Sequence, residues 1–544
     1  MTTATNGIVI QDGTLSVHFG NFSIAEYDMF LKVKALPEYQ VTFNEADESY
    51  TITAPSRFAP LLGVQIPNIR PNRLPFPSFM FDDQVAILKM ALEAKRFACW
   101  SDCGLGKTLI QLEFARQVIH TTGGKALIFT LNEIVQQTID ECQRWYGDSL
   151  PIVRLKTREE MRQWCKSPGP GLAITNYEKM NHKGDADQVV NELRHLAAVI
   201  LDESDRLKGG GGKQKWALIK SCRGIEHKLS CTATPAPNDT IEFASQASFL
   251  EKMRSDNDII WTFFARDTKT KEWTVKSHAR KAFFQFMSAW SIYVRDPKKY
   301  GWRIGQPEVP KPIVKVVDID PTPEQIKAMQ RLCPDASGQM NLIESGSVNA
   351  IQRNKLSQIA KGFRYIKGES HGKYRLIPSR KPDYVADLIA RELRLGLQVL
   401  VWTTFDAESD LIAQRLRERG IPFDLLVGKV KDADRIPILE RFRHGISRLL
   451  ISRASMVGYG QNFQQCGSMI FSGWNDSYVA YYQAIRRSYR YGQTRRLRVW
   501  LPVIRTLEGD MLDNIFHKQD KHEAAIAEME QNYIKAVKQL KGVA

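Results

Sequence analysis

Two separated stretches of this sequence alternate buried-type strands with amphipathic helices, a rhythm that constrains the fold more than any other feature. The first stretch contains four apolar runs, which are Phe97–Trp100, Ala126–Phe129, Leu172–Thr175 and Ala198–Leu201. Helical patterns separate these runs, and the second stretch, over residues 384–501, repeats the alternation. Continuous apolar strands joined by helices are typical of parallel sheets that are covered on both faces. The sequence therefore predicts an α/β protein with two parallel-sheet lobes.

The length of 544 residues predicts several domains, because a single hydrophobic core rarely serves more than about 250–300 residues. Changes of pattern divide the chain into five segments: an accessory α+β domain at 1–70, a first lobe at 71–250, a helical or irregular linker region at 251–375, a second lobe at 376–505 and a helical tail at 506–544. The accessory domain is inferred from short strand-like runs around a helical stretch at Ile24–Lys34.

The composition argues against several classes of protein. No run of about 18 or more apolar residues is present, so we expect no membrane span. The first residues lack the basic start and apolar core of a secretion signal. The eight cysteines contain no C-x-x-C pair, which predicts neither a zinc site nor a disulfide framework. We therefore expect reduced thiols and a cytoplasmic location, in a bacterial cell or a phage-infected host.

The formal net charge of +16 predicts a polyanionic partner. Basic residues concentrate in stretches that read as folded and that also contain aromatic residues, such as Arg486–Tyr491. This mixture favours a structured nucleic-acid-binding face. The alternative is a basic surface that is simply solvated.

A glycine-containing loop between a strand and a helix predicts a phosphate-binding site. Its residues are Asp102, Cys103, Gly104, Leu105, Gly106, Lys107 and Thr108. The glycines let backbone N–H groups approach phosphates, and the positive end of the helix favours the anion. Lys107 would contact the β- and γ-phosphates of ATP, and Thr108 would place its hydroxyl on Mg²⁺. The alternative is an ordinary glycine turn at the start of a helix.

Two carboxylates follow the strand Ala198–Leu201 directly and complete this chemistry. At the end of a neighbouring parallel strand, Asp202 can hold Mg²⁺ through water, and Glu203 can orient and deprotonate the attacking water. The alternative is a helix start with acidic residues in its first turn. The position after a buried strand, downstream of a phosphate-binding loop, favours the catalytic interpretation.

These segments resemble the ordered motifs of superfamily-two helicases. D-C-G-L-G-K-T, I-T-N-Y-E, L-D-E-S-D and S-C-T-A-T-P look like motifs I, Ib, II and III. In the second lobe Phe405 stands where motif IV is expected, Gly458–Asn462 looks like motif V, and Gln483–Gln493 is similar to the motif VI pattern Q-A-x-x-R-x-x-R-x-G-Q. The resemblance is nearest to the Swi/Snf-type double-stranded DNA translocases and their compact phage-borne relatives. It covers roughly residues 76–505 and implies two RecA-like lobes.

The resemblance implies roles for further residues of the ATP site. Gln84, which follows the aromatic Phe79 and Phe81, matches a glutamine that reads the adenine edge, although a helix-start glutamine is the alternative. Thr232 and Thr234 stand at the motif III hydroxyls that couple hydrolysis to movement of the lobes. Gln483, at the start of motif VI, is expected to take part in the same coupling.

The resemblance also implies an arginine finger and contacts with nucleic acid. Arg487 and Arg490 lie three residues apart, on one predicted helix, and match the arginines that reach the γ-phosphate. Contact with nucleic-acid phosphates is the alternative for both. Asn176, Tyr177 and Asn462 are the candidate grips on the backbone of the nucleic acid.

Three departures from the family pattern affect what can be carried over. Motif II ends in Asp205 instead of the commoner histidine, which leaves its coupling to motif III open. Motif Ia, Thr130–Asn132, lacks a frequent proline, and Arg486 occupies a position that is often acidic in the eukaryotic members. None of these departures removes a group that hydrolysis needs.

The N-terminal unit resembles, more faintly, the HARP-type domain of annealing helicases, in the lines Leu31–Tyr39 and Tyr50–Pro60. Such domains are linked to forked or branched DNA, and the alternative is a structural cap on the first lobe. The sequence thus predicts an ATP- and Mg²⁺-dependent DNA translocase or helicase that acts on duplex, branched DNA. An RNA helicase and a non-catalytic nucleic-acid-binding scaffold remain alternatives. The setting among phage replication, recombination, repair and counter-defence stays open, as do protein partners.

Overall fold

The computed structural model describes most of the chain. Outside the described residues lie 1–2, 6, 12, 21–22, 37, 65–72, 181–188, 209–212, 236–242, 254, 267–272, 304–308, 334–349, 367–372, 429, 431, 454–455, 458–461, 475–477, 491–492 and 542–544. The chain divides into two compact units, residues 1–305 with 526–544, and residues 306–525.

The N-terminal part of the first unit is an α+β domain, as the sequence predicts. Its strands are β1 (Thr3–Thr5), β2 (Ile8–Gln11), β3 (Thr14–Phe19), β4 (Gln40–Asn44) and β5 (Ser49–Pro55), and its helix is α1 (Ile24–Lys34). They form an antiparallel sheet in the order β1-β2-β3-β5-β4, followed by a 3-10 segment at Ser56–Leu62. Ser23 caps α1 by accepting a hydrogen bond from the N–H of Glu26, whose side chain accepts one in return from Ser23.

The first parallel sheet carries the phosphate-binding loop. Its strands are β6 (Arg96–Ser101), β7 (Lys125–Thr130), β8 (Ile152–Arg154), β9 (Gly171–Asn176), β10 (Ala198–Leu201), β11 (His227–Cys231) and, after the hairpin β12 (Phe264–Arg266) and β13 (Trp273–Val275), β14 (Ser291–Val294). The order is β14-β6-β11-β10-β7-β9-β8. Because all pairs are parallel, the loops after β6, β10 and β11 meet at one edge of the sheet.

Helices surround this sheet. They are α2 (Asp82–Ala94), α3 (Lys107–Thr122), α4 (Asn132–Tyr146), α5 (Arg158–Lys166), α6 (Lys213–Ser221), α7 (Phe243–Phe249), α8 (Asp256–Phe263) and α9 (Arg280–Trp290). Short 3-10 segments lie at Gly147–Ser149, Tyr177–Met180, Asn191–His195, Ser204–Lys208, Ser277–Ala279 and Pro297–Tyr300. The strands are buried throughout, which accounts for their unbroken apolar runs in the sequence.

The second unit is built around another parallel sheet. Its strands are β15 (Ile313–Asp318), β18 (Val399–Thr403), β19 (Asp424–Leu426), β20 (Leu449–Arg453), β21 (Ser468–Phe471) and β22 (Arg498–Val503). Between β15 and β18 the chain forms a separate hairpin of β16 (Phe363–Tyr365) and β17 (Tyr374–Leu376). The order is β15-β22-β21-β18-β20-β19. The helices are α10 (Pro323–Leu332), α11 (Ala350–Ala360), α12 (Lys381–Arg394), α13 (Asp406–Glu418), α14 (Asp432–Arg443), α15 (Tyr478–Arg486) and α16 (Arg505–Lys541).

The two sheets confirm the predicted fold class. The region 251–375, which the sequence presents as a linker, contributes an edge strand to each sheet: β14 pairs with β6, and β15 pairs with β22. Both strands escaped the sequence interpretation because they are short or interrupted by charged residues and lie among aromatic and basic segments. The segment boundaries themselves stay a prediction.

The charged tail forms the long helix α16. Near its start Glu508 is buried and accepts hydrogen bonds from Lys361 and Lys381, each over 2.5 Å. Burial alone would raise the pKa of Glu508, but the two lysines hold that pKa below its ordinary value. In the first unit, Tyr533 of the same helix is buried beside Trp100, with ring centroids 6.4 Å apart.

Two further observations bear on the sequence predictions. All eight cysteines are free, so no disulfide framework is present. Among the described residues, no helix is both long enough and apolar enough to cross a membrane.

Candidate nucleotide-hydrolysis site

The loop Asp102–Gly106 joins β6 to α3 in a conformation that requires glycine. Gly104 and Gly106 have φ values of +88° and +71°, in the left-handed region. Gly106 also lies so close to Gln84 that a Cβ on it would stand 2.1 Å from the Gln84 Nε2 atom. A side chain at position 106 would therefore force the loop or Gln84 to move, and the loop leaves the first N–H groups of α3 available for an anion.

Lys107, the first residue of α3, turns its ammonium group back to the loop. Its Nζ atom donates hydrogen bonds to the carbonyl oxygens of Ser101, over 2.9 Å, and Asp102, over 3.2 Å. The Asp102 carboxylate accepts a hydrogen bond from the N–H of Cys103 over 2.7 Å. These contacts hold a cation at the mouth of the loop, where phosphate oxygens would replace the carbonyl groups.

Gln84 supports the loop from below. Its Nε2 donates to the carbonyl of Leu105 over 3.3 Å, and its Oε1 accepts from the N–H of Phe81 over 3.0 Å. The side chain is almost fully buried. Gln84 therefore both caps the start of α2 and contacts the phosphate-binding loop. Its recognition of the adenine edge stays a prediction.

Asp202, at the end of β10, is fixed by three neighbours. One carboxylate oxygen accepts from Gln111 Nε2 over 2.6 Å, and the other accepts from the Thr130 hydroxyl over 2.9 Å. Its backbone carbonyl accepts from the Tyr177 hydroxyl over 2.6 Å. Because both carboxylate oxygens already have donors, Asp202 suits an outer-sphere contact with Mg²⁺ through water.

Glu203 follows in a strained backbone conformation, with φ +47°. A non-glycine residue in this region costs about 1–2 kcal/mol, and such strain persists only where the surroundings impose it. Burial, together with the negative charge of Asp202, raises the pKa of Glu203 to about 8, and Lys107 acts in the opposite direction. A carboxylate whose pKa lies near neutrality is suited to accept a proton from water.

The motif III residues follow β11 at the same edge of the sheet. Thr232 is buried, and its hydroxyl accepts a hydrogen bond from the N–H of Thr234 over 3.1 Å. The N–H of Thr232 donates to the carbonyl of Cys99 in β6, over 3.2 Å. The Thr234 hydroxyl oxygen is buried without a hydrogen-bond partner among the described residues. The structure thus brings both threonines beside the loop-bearing strand; their coupling role stays a prediction.

The structure reveals supporting residues that sequence reasoning missed. Gln111 lies on α3, one turn after Lys107, and Thr130 ends β7; both bind Asp202. Gln246 on α7 contacts the motif II and motif III segments. The only sequence signal for Gln111 was its place on the buried side of the helix, four positions after Lys107. The sequence gave no signal for Gln246.

The two candidate nucleic-acid grips of the first lobe are both buried, and Asn176 is 8% exposed. Asn176 Nδ2 donates to Asn132 Oδ1 over 2.9 Å, and its own Oδ1 is buried with no hydrogen-bond partner in the described part of the chain. Tyr177 is 5% exposed, with its hydroxyl committed to Asp202. The Tyr177 hydroxyl thus supports motif II from inside the protein, and the contact of Tyr177 with nucleic acid stays a prediction.

The arginines of motif VI lie in the second unit. Helix α15 ends at Arg486, so the prediction that Arg487 and Arg490 share one helix is wrong. The reason is that the chain leaves the helix to pair with the residue after motif V: the carbonyl of Arg487 accepts from the N–H of Phe463 over 2.8 Å. The Arg487 guanidinium lies 5.6 Å from the Trp402 ring centroid, and Arg490 donates to Asn462 Oδ1.

The neighbours of these arginines fix the segment. Arg486 lies over the rings of Tyr482 and Tyr489, and burial lowers its pKa to about 10, which leaves it charged at neutral pH.

Gln483 is a partly buried residue of α15, and Phe405 precedes α13, with its ring 5.6 Å from that of Phe363. Gly458–Gln461 of motif V and Tyr491–Gly492 of motif VI lie outside the described residues.

The first-unit site fits a magnesium–nucleotide complex. The glycine loop at the start of α3 offers N–H groups to phosphates, with Lys107 as the cation. Thr108 and Asp202 would hold Mg²⁺ together with phosphate oxygens and water, which is how Mg²⁺ is usually bound. Accordingly, the described residues contain no group of three or more histidine, cysteine, aspartate or glutamate side chains that could bind a metal ion alone.

Comparison with known proteins supports this chemistry. A family model described as DEAD/DEAH box helicase matches residues 81–243, and one described as helicase conserved C-terminal domain matches residues 380–492. The two matched segments together cover about half of the chain. No curated protein sequence matches the chain. Among solved structures, the chain is similar to the SWI2/SNF2 ATPase core of Sulfolobus solfataricus in complex with dsDNA, at 17% identity and a TM-score of 0.37, over 84% of this chain and 97% of that one.

The two helicase domains, with the phosphate-binding loop in the first, identify the chain as an ATP-hydrolysing helicase with two RecA-like domains. The predictions of an enzyme and of a two-lobed α/β helicase fold are thereby confirmed. The helicase domains also imply the use of a nucleotide, typically with Mg²⁺.

Proposed function

We propose that the protein is a Swi/Snf-type translocase that couples ATP hydrolysis to movement along duplex DNA. The observation that carries the proposal is a set of bonds between the metal-binding aspartate and the candidate nucleic-acid segment. Thr130 and Tyr177 both bind Asp202. Asn132 follows Thr130 by two positions, and Asn176 directly precedes Tyr177. These two asparagine side chains bind each other. A shift of Asp202 during hydrolysis would therefore displace Asn132 and Asn176.

The chain's own residues supply the chemistry of hydrolysis in this proposal. ATP bound with Mg²⁺ supplies the γ-phosphoryl group whose transfer to water releases the free energy. Lys107 neutralises phosphate charge, and Glu203 orients the attacking water and takes its proton. The arginine-finger function of Arg487 and Arg490 stays a prediction from the motif VI resemblance.

The charge of the chain supports DNA as the partner. With a net charge of +16, binding to phosphates releases many counterions, so affinity should fall steeply with salt. Contacts of this kind carry little sequence information, which suits a motor that moves along any sequence.

We expect duplex DNA to stimulate ATP hydrolysis more than single-stranded DNA or RNA does. For a protein with 6–10 phosphate contacts, the affinity should fall about 10³- to 10⁵-fold between roughly 50 and 200 mM salt. Replacing Asn176 by alanine should raise the DNA concentration for half-maximal stimulation about tenfold, because it breaks the hydrogen bond to Asn132 that joins the two candidate segments. Gln137→Ala, on α4, is the control, since this amide bonds to Glu141 on its own helix over 3.1 Å.

Each other outcome of this assay would indicate a different function. Greater stimulation by RNA would show the RNA helicase that the sequence leaves open. Nucleic-acid binding without any ATP turnover would show a scaffold. A rate of stimulation that does not change with salt would contradict the phosphate-backbone grip.

We further propose that the HARP-like N-terminal domain directs the motor to branched or forked DNA. Contacts that fix it to the first lobe support this. Glu38 binds Arg57 over 2.7 Å and Lys252 over 3.2 Å, and Arg57 also donates to the carbonyl of Ala289. Phe43 and Tyr50 lie on the sheet with about half of each side chain exposed and their ring centroids 4.8 Å apart. Exposed rings of this kind can stack on unpaired bases.

Replacing Phe43 and Tyr50 together by alanine should reduce stimulation by four-way junctions and forks at least about fivefold, whereas stimulation by linear duplex changes little, because stacking contributes about 1–3 kcal/mol per base. The control is Val9→Ala, an exposed apolar residue of the same sheet. An equal loss on linear and branched DNA would leave the domain as a structural cap. These substitutions are made in the full-length protein, because deletion of the N-terminal domain would remove Glu38, the carboxylate that pairs with Lys252.

A further inference from the structure

Gln246 stands at the centre of a buried polar cluster behind the hydrolysis site. It belongs to α7, all of whose residues are buried, and only 1% of its surface is exposed. A carboxamide in such a place is stable only when its donor and acceptor groups are satisfied. No comparison and no motif assigns this residue a function.

The carboxamide contacts two adjacent strands of the sheet, β6 and β11, and the segments that follow β10 and β11. Its Oε1 atom accepts from Trp100 Nε1 over 2.8 Å and from the Ser230 hydroxyl over 2.8 Å. The Ser230 and Ser204 hydroxyls form a hydrogen-bonded series, 2.9 Å apart, and Ser204 also donates directly to Gln246 Oε1 over 3.4 Å. Its Nε2 atom donates to the carbonyl of Pro235 over 3.2 Å.

Each of these contacts lies next to a part of the hydrolysis site. Trp100 precedes Ser101, whose carbonyl binds Lys107. Ser204 follows Glu203, and Pro235 follows Thr234 of motif III. One side chain thus joins the strand before the phosphate-binding loop, the residue after the general base and the end of motif III.

The strained backbone of Glu203 gives this arrangement its significance. Glu203 stands at φ +47° between two anchored neighbours, Asp202 on one side and Ser204 on the other. A conformation that is unfavourable by about 1–2 kcal/mol relaxes unless both sides are held. The Asp202 side is held by Gln111, Thr130 and Tyr177, and the Ser204 side is held through Ser230 and Gln246.

We infer that Gln246 is a positioning residue for ATP hydrolysis, which holds Glu203 in register with the phosphate-binding loop and links motif II to motif III. This inference rests on the proposed function of Glu203 as general base. It also supplies a link at the point where Asp205 replaces the usual histidine of motif II. Glutamine is suited to this place, because glutamate offers no donor for Pro235 and methionine offers no donor and only a weak acceptor.

The test compares Gln246→Met with Ser248→Ala. Ser248 lies on the same helix, is 5% exposed and donates to Asp256 over 2.6 Å, away from the hydrolysis site. Both changes leave a buried polar group without its partner, so both should lower the thermal midpoint. We expect kcat for ATP to fall at least about tenfold in Gln246→Met, with KM and the affinity for a fluorescent ADP analogue within about threefold, and kcat to stay within about twofold in Ser248→Ala.

A second variant keeps the inference testable if Gln246→Met fails to fold. Ser230→Ala removes one hydroxyl from the same series and should lower kcat about threefold or more. Because Ser230 acts through Gln246, the double variant should lose no more than Gln246→Met alone. Additive losses, or a fall in kcat no larger than that of Ser248→Ala, would overturn the inference. Glu203→Gln tests the general base separately: an unchanged rate there contradicts the function of Glu203 and not the Gln246 contacts.

Discussion

Replacement of Glu203 by glutamine is expected to lower kcat for ATP hydrolysis about 10²- to 10⁴-fold, the range that a positioned general base usually contributes. Glutamine keeps the size of the side chain and its capacity for hydrogen bonds, but it cannot accept a proton from water. The pKa of Glu203, raised to about 8 by burial and by Asp202, shows that this carboxyl group binds a proton more readily than an ordinary glutamate. Because the variant leaves Lys107 and the glycine loop intact, the affinity for ATP should stay within about threefold.

The measurement is steady-state hydrolysis of ATP together with equilibrium binding of a fluorescent ADP analogue. Glu192→Gln is a matched control: Glu192 is a buried glutamate of the same unit, and it pairs with Arg162 over 2.9 Å and Lys166 over 3.2 Å. This control should lose stability and keep its rate. If Glu203→Gln hydrolyses ATP as fast as the unchanged protein, then the assignment of the general base is wrong.

The sequence predicts the place in the fold of those groups whose position follows from local structure. Lys107 begins a helix after a strand, and Asp202 ends another strand of the same parallel sheet. In such a sheet the carboxyl ends of the strands meet at one edge, so chain order and strand pattern are sufficient to bring Lys107 and Asp202 together.

The residues that support these groups could not be predicted in the same way. Gln111, Thr130 and Gln246 are polar side chains in otherwise apolar surroundings, and their partners lie 11 to 146 residues away in the chain. Nothing in the local pattern distinguishes a buried glutamine with four partners from an exposed one. The same limit explains Tyr177, for which the motif gave the position but not the direction of its hydroxyl.

Long-range pairing also decides where elements end. The helical pattern over Tyr478–Tyr489 predicts one helix, yet α15 ends at Arg486, because the next turn pairs with Phe463. β14 adds only four residues to the first sheet, and its pairing with β6 is visible only in three dimensions. Element type was therefore predictable here, while the ends and edges of elements depended on contacts with distant residues.

Replacement of Gly106 by alanine is expected to lower ATP hydrolysis by at least about 10²-fold, since a displacement of about 1 Å at a reacting group can have that effect. Two separate obstacles oppose the change. The backbone stands at φ +71°, which is unfavourable for alanine by about 1–2 kcal/mol. The new Cβ would also stand 2.1 Å from Gln84 Nε2, so either the loop or the glutamine must move. Movement of the loop displaces the N–H groups that receive phosphate, and ATP affinity should fall with the rate.

Gly123 separates these two obstacles, because it ends the same helix at φ +66° and a Cβ added there would meet nothing within 4 Å. Gly123→Ala therefore tests backbone strain alone, and it should lower stability by about 1–2 kcal/mol with little change in kcat. Adding Gln84→Ala to Gly106→Ala removes the collision but not the strain, so the double variant should bind the ADP analogue more tightly than Gly106→Ala does. If Gly106→Ala binds nucleotide normally, or if Gln84→Ala brings no recovery, then the close approach of Gln84 to the loop does not control phosphate binding. If the double variant recovers binding of the ADP analogue, then Gln84 sets the path of the phosphate-binding loop. This function would be in addition to the recognition of adenine that the sequence predicts.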